Sequence, residues 1–371
     1  MDESRMSSVR PRGVQQVPRR NSTWCVLAAA AVVGGCGGGA DSTETAAPPT
    51  SAAPPVPAPA PPGAVVYYFS DCQSGAAAGC VAGNNANPGT QAAPKQNLSG
   101  VNVNALPAGS QLLFARGGAW AWTTTALHNL NVTPASPLVF DAYGTGPAPW
   151  LRTASGVAIY IGGNWGNTSN DGGYTIRNLR LDGMGSAQWG VWLVQNVRSV
   201  TLDNVDITGF LIGVHSSGGS PYGVTGLAIR NSRISRNSDM GILGAYSDSV
   251  IEGNTIEGNN FTGIGFSHAL YFSGGSRNTI RNNAFNANST VNGVCTGGNV
   301  TAHGVIDGLT IEGNRITQTA ATATCYGFAI TTGYSTVEEF RNVVIRTWQT
   351  TGITSRTSAP AAGICSPRAK S

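Results

Sequence analysis

The chain has 371 residues, 50 of them glycine and 20 proline, with 41% hydrophobic and only 11% charged residues. Glycine at about twice its usual share of roughly 7% argues against a helical bundle or coiled coil, which would be rich in Ala, Glu, Lys and Leu, and the apolar content excludes a charged disordered chain. The formal charge of +4 sits mostly in the leader: residues 1–35 hold five arginines and two acids, so 17 basic and 16 acidic residues remain, a net +1 that leaves no electrostatic footprint for nucleic acid.

Arg5, Arg10, Arg12, Arg19 and Arg20 precede a twelve-residue apolar run at 24–35. That run is shorter than the helix of about 20 residues a bilayer requires. A basic leader, a short apolar stretch and small residues before a cut site make 1–35 a secretory signal. Val33-Gly34-Gly35-Cys36 resembles the lipobox of bacterial lipoproteins. The resemblance implies lipidation at Cys36; an ordinary signal peptide with a chance cysteine is the alternative. Residues 36–64 are Pro/Ala-rich, a disordered linker favouring extended polyproline that would hold a folded domain off a membrane. The expected location is exported and lipid-anchored to the bacterial envelope, at the outer membrane, cell surface or periplasm.

Cysteine use agrees with an oxidising compartment. Cys72 and Cys80 lie eight apart in a Gly/Ala/Ser loop, and Cys295 and Cys325 lie 30 apart, close to one repeat length. Both pairs are candidate disulfides, the second between neighbouring repeats. Zinc is the competing reading, but no C-x-x-C pair occurs.

From about residue 174 the chain repeats. The unit opens on a branched apolar residue, then a charge, then Asn or Gly, and closes on another apolar residue, as in Ile176-Arg177-Asn178-Leu179-Arg180-Leu181. Further units open at Leu202, Ile229, Ile251, Ile280 and Ile311, with an incomplete one at Ile345. The starts are 26, 27, 22, 29, 31 and 34 residues apart, a constant core with loops of variable length. A second short strand follows most units, usually opened by glycine: Gly190, Gly213, Gly241, Ala269, Gly304 and Gly327 open the six. The strands alternate apolar and polar residues and lack helical spacing. This pattern resembles the right-handed parallel β-helix of pectate-lyase-like proteins over residues 65–356, with 357–371 a loose C-terminal tail. The expected fold is all-β, a single-stranded right-handed parallel β-helix solenoid, in which stacked coils share one apolar interior. Asn254, Asn283 and Asn314 recur at one repeat position, where stacked amides would satisfy corner backbone groups and Asn would tolerate the left-handed corner conformation. Two short strands are expected after Tyr334. Arg177, Arg230, Glu252, Arg281 and Glu312 share another position, a solvated charge ladder.

Aligning the second strands on their first residue produces two outward columns. One runs Trp189, Ile212, Met240, His268, His303, Tyr326; the other runs Trp192, His215, Leu243, Tyr271, Ile306, Ala329. His268 and His303 would then stand on neighbouring coils. A solvent-facing patch of His, Tyr and Trp suits sugar binding. Removal of a uronate C5 proton needs a base near neutral pKa and a cation for the carboxylate. The candidate catalytic residues are therefore His268, Tyr271 and Arg277, and the candidate substrate-binding residues are Trp192, His215, His303, Arg233 and Arg236. The alternative is that both histidines are corner residues satisfied by backbone carbonyls. The segment 267–280 resembles a His-x-x-Tyr segment of several β-helix proteins. The catalytic signatures of polygalacturonases, alginate C5-epimerases and many pectate lyases do not occur. The only lysines, Lys95 and Lys370, lie outside the repeats. Asp203, Asp206, Asp239 and Asp248 spread over three coils, so calcium has no visible carboxylate cage and neither a metal nor another cofactor is expected. The expected protein is a monomeric, membrane-tethered β-helix that binds, and by β-elimination cleaves, an acidic polysaccharide. The other reading is a non-catalytic adhesin, glycan-binding or envelope scaffold.

Overall fold

The computed structural model of the chain describes residues 59–163, 171–217, 223–265, 267–330 and 337–352. The signal segment 1–35, Cys36, most of the linker and the tail 357–371 lie outside the described residues.

The repeat positions stack in register. Phe140, Ile176, Leu202, Ile229, Ile251, Ile280, Ile311 and Ile345 are successive partners on parallel strands. A second column runs Leu151, Leu181, Ile207, Ile234, Ile256, Phe285, Ile316. A third runs Ile159, Val191, Val214, Ile242, Leu270, Val300, Phe328. Each coil thus lays one strand on each of three faces, and the fold is a parallel β-helix. Arg180–Leu193 and Asp206–Ser216 run through a corner and serve the second and third faces at once. The three columns meet in one core, apart from the last coil, where Ile345 is only partly covered. Branched aliphatics suit these positions because they pack well on a pleated surface that is dry on its inner side. Burying each one contributes about 2 kcal/mol.

The corner between the first and second faces explains the Asn/Gly position of the repeat. Asn178, Asn204, Asn231 and Asn282 have φ of 59°, 51°, 50° and 55°, and Gly253 and Gly313 have 66° and 63°. These residues turn the chain, whereas the recurring Asn254, Asn283 and Asn314 lie one position later. The left-handed conformation expected of the recurring asparagines therefore belongs to their predecessors. The asparagines themselves point inward, buried, as an amide column: Asn254 Nδ2 donates to Asn283 Oδ1 at 2.9 Å, and Asn283 Nδ2 to Asn314 Oδ1 at 2.9 Å. A second column, Asn237, Asn259 and Asn288, joins by the same bonds at 2.9 and 3.0 Å.

At the amino-terminal end, Val66–Phe69 pairs with Gln111–Ala115, which pairs with Leu138–Tyr143. Phe69, Phe114 and Phe140 stack inside at 5.2 and 6.2 Å. The structure joins Cys72 to Cys80 and Cys295 to Cys325, with Cα separations of 5.8 and 5.5 Å. Outside, Glu252 bridges Arg230 at 2.7 Å and Arg281 at 2.5 Å, and Glu312 meets Arg346 at 2.7 Å. Such exposed pairs contribute only about 0.2–1 kcal/mol each. Two details differ from expectation. Three strands, not two, follow Tyr334: Glu339–Arg341, Val344–Arg346 and Gln349–Thr351. And Gly304 opens no third-face strand. That strand is Gly298–Ala302, while Val305–Glu312 already belongs to the first face of the next coil. The long insertion before Gly298 displaces the strand from where a glycine alignment puts it.

Candidate functional site on the third face

The glycines that open third-face strands are there because coils approach too closely for a side chain. A Cβ on Gly190, Gly213 or Gly241 would lie 2.6, 2.7 or 2.5 Å from a carbonyl oxygen of the next coil, and on the first two it would also meet Ile207 or Ile234 of the core. The glycine position faces inward and so does the residue after it, Val191, Val214 or Ile242. The residues flanking this inward pair, such as Trp189 and Trp192, are thereby brought onto the same outer surface.

That geometry gathers aromatic rings. Tyr160, Trp192 and His215 are register partners on three consecutive coils. Tyr160 meets Trp192 edge-on at 5.1 Å, and Trp192 lies parallel to His215 at 6.4 Å. Trp189 packs 4.3 Å from Trp192 and 5.2 Å from His215. All four rings are half-buried. Trp192 Nε1 donates to Ser217 Oγ at 2.6 Å. Trp189 Nε1 and His215 Nδ1 have no hydrogen-bond partner among the described residues. Beyond them Ile212, Met240 and Tyr271 form an apolar cluster with Leu243 and Trp189, separate from the core.

Further along the same face stands a second group. His268 stacks on Tyr271 with ring centroids 5.6 Å apart, and Tyr326 lies 6.0 Å from His268, its hydroxyl 3.4 Å from Nδ1. The His303 ring is 5.5 Å from Tyr271, and its Nδ1 lies 3.8 Å from Glu338 Oε1. Burial, and secondarily the His303 charge, push the His268 pKa down to about 4; burial alone pushes His215 down to about 4. Burial raises the Tyr326 hydroxyl. Both His268 and His215 are therefore neutral at pH 7.

The predicted site residues divide. Trp192 and His215 stand together, as do His268, Tyr271 and His303. His303 does so from a different position, following Ala302 rather than preceding a strand glycine. Tyr271 points outward as expected, yet it is 6% exposed and His268 only 5%, so this part of the patch is covered rather than solvent-facing. The three arginines are elsewhere. Arg277 lies in Gly275–Arg281 on the first face, its guanidinium on Asp248 at 2.5 and 2.7 Å. Arg233 lies on the second face, bound to Glu257 at 2.6 Å and Asp206 at 3.3 Å. Arg236 occupies the following corner with φ 51°, exposed. The reason is topological: residues a few positions apart in sequence fall on different faces whenever a corner intervenes. Tyr160 and Glu338 escaped the sequence reading because neither follows a strand-opening glycine. The alternation of Val157–Ile161 against the Val191–Leu193 segment was the available signal for Tyr160. One cleft of about 360 Å³ lies off this face and includes Arg116, Asn204 and the already paired Arg233, and another of about 480 Å³ runs between residues 97–103 and 120–126, reaching the third face at Thr125 and Ala126, the register partners of Ile159 and Tyr160.

A stacked solenoid carrying an aromatic strip on one face defines the class of this protein. Residues 158–358 match the family described as right handed beta helix region, and the chain belongs to that family. No curated protein matches it in sequence. Among solved structures it is similar to a GH136 lacto-N-biosidase from Eubacterium ramulus, at 12% identity over 78% of this chain and 68% of that one, TM-score 0.43. It is also similar to an alginate lyase from Paenibacillus sp., at 14% identity over 71% and 93%, TM-score 0.43. For pectate lyase Pel9A the values are 14% over 81% and 82%, TM-score 0.34.

Proposed function

We propose that the protein binds a polysaccharide along its third face, from an exported and Cys36-tethered position on the bacterial envelope. The observation that carries this reading is the strip of half-buried rings, Tyr160, Trp189, Trp192 and His215, on successive coils. Parallel coils repeat at about 4.8 Å, a spacing that lets consecutive rings meet one extended chain of sugars. Aromatic faces pack against the C–H faces of sugar rings while ring nitrogens take hydroxyls. Replacing Trp192 with alanine is expected to weaken binding roughly tenfold or more, as truncation of an aromatic anchor does. Affinity electrophoresis against a panel of immobilised polysaccharides measures it. Unchanged retardation of Trp192→Ala on every glycan that retards the parent would remove the strip as the binding surface.

Cleavage of an acidic polysaccharide is a second reading, favoured by the grouping of His268, Tyr271, Tyr326, His303 and Glu338. β-Elimination there would move the C5 proton to an imidazole, form the C4–C5 double bond, and release the glycosidic oxygen with a proton from a tyrosine. Arg277 and Arg233, on other faces and bound to acids, do not supply the cation this chemistry wants for the uronate carboxylate. Incubation with pectate, alginate and glycosaminoglycans is expected to give the ultraviolet absorbance of unsaturated uronates if the group is catalytic, and that signal should vanish in His303→Asn. Silence on all three substrates with retained binding selects the non-catalytic adhesin or scaffold.

A further inference from the structure

The cleft of about 480 Å³ between residues 97–103 and 120–126 stands at the amino-terminal end of the aromatic strip. It reaches the third face at Ala126, the register partner of Tyr160, and so opens one coil before the first ring. Its outer wall takes the place of a strand. Among the described residues Thr125–Leu127 pairs with a strand on one side only. Asn104 closes the other side, donating to Ala126 O at 3.1 Å and accepting from His128 N at 2.8 Å. The same segment is held by Trp120 Nε1, which donates to Gln96 O at 2.9 Å, and by Asn129 Nδ2, which donates to Val103 O at 2.8 Å. The cleft is therefore preformed, and a ligand entering it has little chain to order.

What the cleft offers is accessible and neutral. Ser99, Thr123 and Thr124 are exposed, and their hydroxyls make no hydrogen bond among the described residues. Asn97 Oδ1 accepts from Asn85 Nδ2 and from Ser99 N, both at 2.9 Å, which leaves its Nδ2 as a donor for a ligand. Half-buried Leu98 and Val101 and exposed Ala121 supply apolar surface between these groups. No lining residue is charged. Groups that donate and accept, set around an apolar patch, match a sugar with hydroxyls at its edge and C–H groups on its face. A carboxylate or sulfate seated there would lose part of its water and meet no cation.

We infer that this cleft is a further subsite of the binding surface, taking an uncharged sugar of the same chain that lies along Tyr160, Trp192 and His215. The inference rests on the binding reading above, extends it past the strip and states the charge of the sugar seated there.

The test is affinity electrophoresis of the full chain against three neutral polysaccharides (β-glucan, galactomannan and starch) and two acidic ones (pectate and alginate). At least one neutral polysaccharide should retard the parent, and added salt should leave that retardation unchanged because no ion pair forms. Thr124→Trp fills the cleft from an exposed position and is expected to weaken binding roughly tenfold, as loss of an anchoring contact does. The double variant Thr123→Val, Thr124→Val removes two hydroxyls at nearly constant shape and should weaken binding in the same direction, by less. Thermal melts matching the parent's establish that these variants fold. Retardation that drops in Trp192→Ala but not in Thr124→Trp or the double variant overturns the subsite and leaves the strip standing. Retardation by pectate or alginate alone, falling as salt is added, overturns the uncharged sugar. No retardation by any of the five sinks the inference and the binding reading together.

Discussion

Asn283→Ala is expected to lower stability by about 3 kcal/mol, although it removes one small side chain far from the third face. Asn283 Oδ1 accepts from the Asn254 backbone N at 3.0 Å and from its side-chain amide at 2.9 Å. Its own amide donates to Ile251 O and Asn314 Oδ1, both at 2.9 Å. The residue is 1% exposed. Truncation therefore strands buried polar groups on two coils, each costing about 1–3 kcal/mol when left without a partner. Ser232 supplies an internal control. It stands on the same column and its hydroxyl accepts from the Val205 backbone N at 3.1 Å, so a hydroxyl can serve a corner here. Asn283→Ser should accordingly cost less than Asn283→Ala. Urea unfolding midpoints compare the three proteins; a midpoint for the alanine variant equal to the parent's would mean the amide column contributes little.

The second large effect is a loss of stability in acid that runs through His268. In the unfolded chain a histidine takes up its proton near pH 6.5, whereas burial holds His268 unprotonated down to about pH 4 in the folded protein. Between those values the unfolded chain binds more protons than the native one, so stability rises with pH there. Lowering the pH from 7 to 4 should thus remove about 3 kcal/mol through this residue, with little further lost below. His215, lowered to about 4 as well, adds a contribution of the same sign, smaller because its ring is half-exposed. Carboxylates on Asp248 and Glu252, held low by Arg277 and by Arg281 and Arg230, also favour neutral pH, so the parent alone does not isolate the imidazole. The difference between the parent and His268→Gln does. Their stabilities should converge as pH falls toward 4, the variant showing the shallower dependence; parallel curves would show that His268 titrates as it does in water.

The same residue illustrates what could be read before any coordinates. Tyr271 was recognisable as an outward position because Leu270 and Phe272 alternate with it, and His268 because it precedes the strand-opening position as Trp189 does; the strand does present Tyr271 to the outside. Their burial was not recognisable, since it depends on neighbours such as Tyr326 and Met240 contributed by other coils. His303 shows the converse. Alignment on Gly304 assigned it to the wrong register position, yet the His303 ring still lies 5.5 Å from Tyr271, because the insertion before Gly298 shifted the strand by about its own length. Arg277 and Arg233 were plausible partners by sequence distance and are separated from the histidines by a corner each.

The linear chain by itself determined the coil. A branched apolar residue, a left-handed Asn or Gly and a second apolar residue, repeated at drifting intervals, can bury their apolar stripe only by stacking, and Ile176 to Ile345 and the inward asparagines were legible for that reason. Tertiary structure alone decided which outward residues meet. Contacts such as Tyr160 with Trp192, or His303 with Glu338, join positions more than 30 residues apart, and loop length rather than residue type sets which of them come into register. Whether a side chain on the outer face is wet, covered or paired follows from that register, and local sequence carries no record of it.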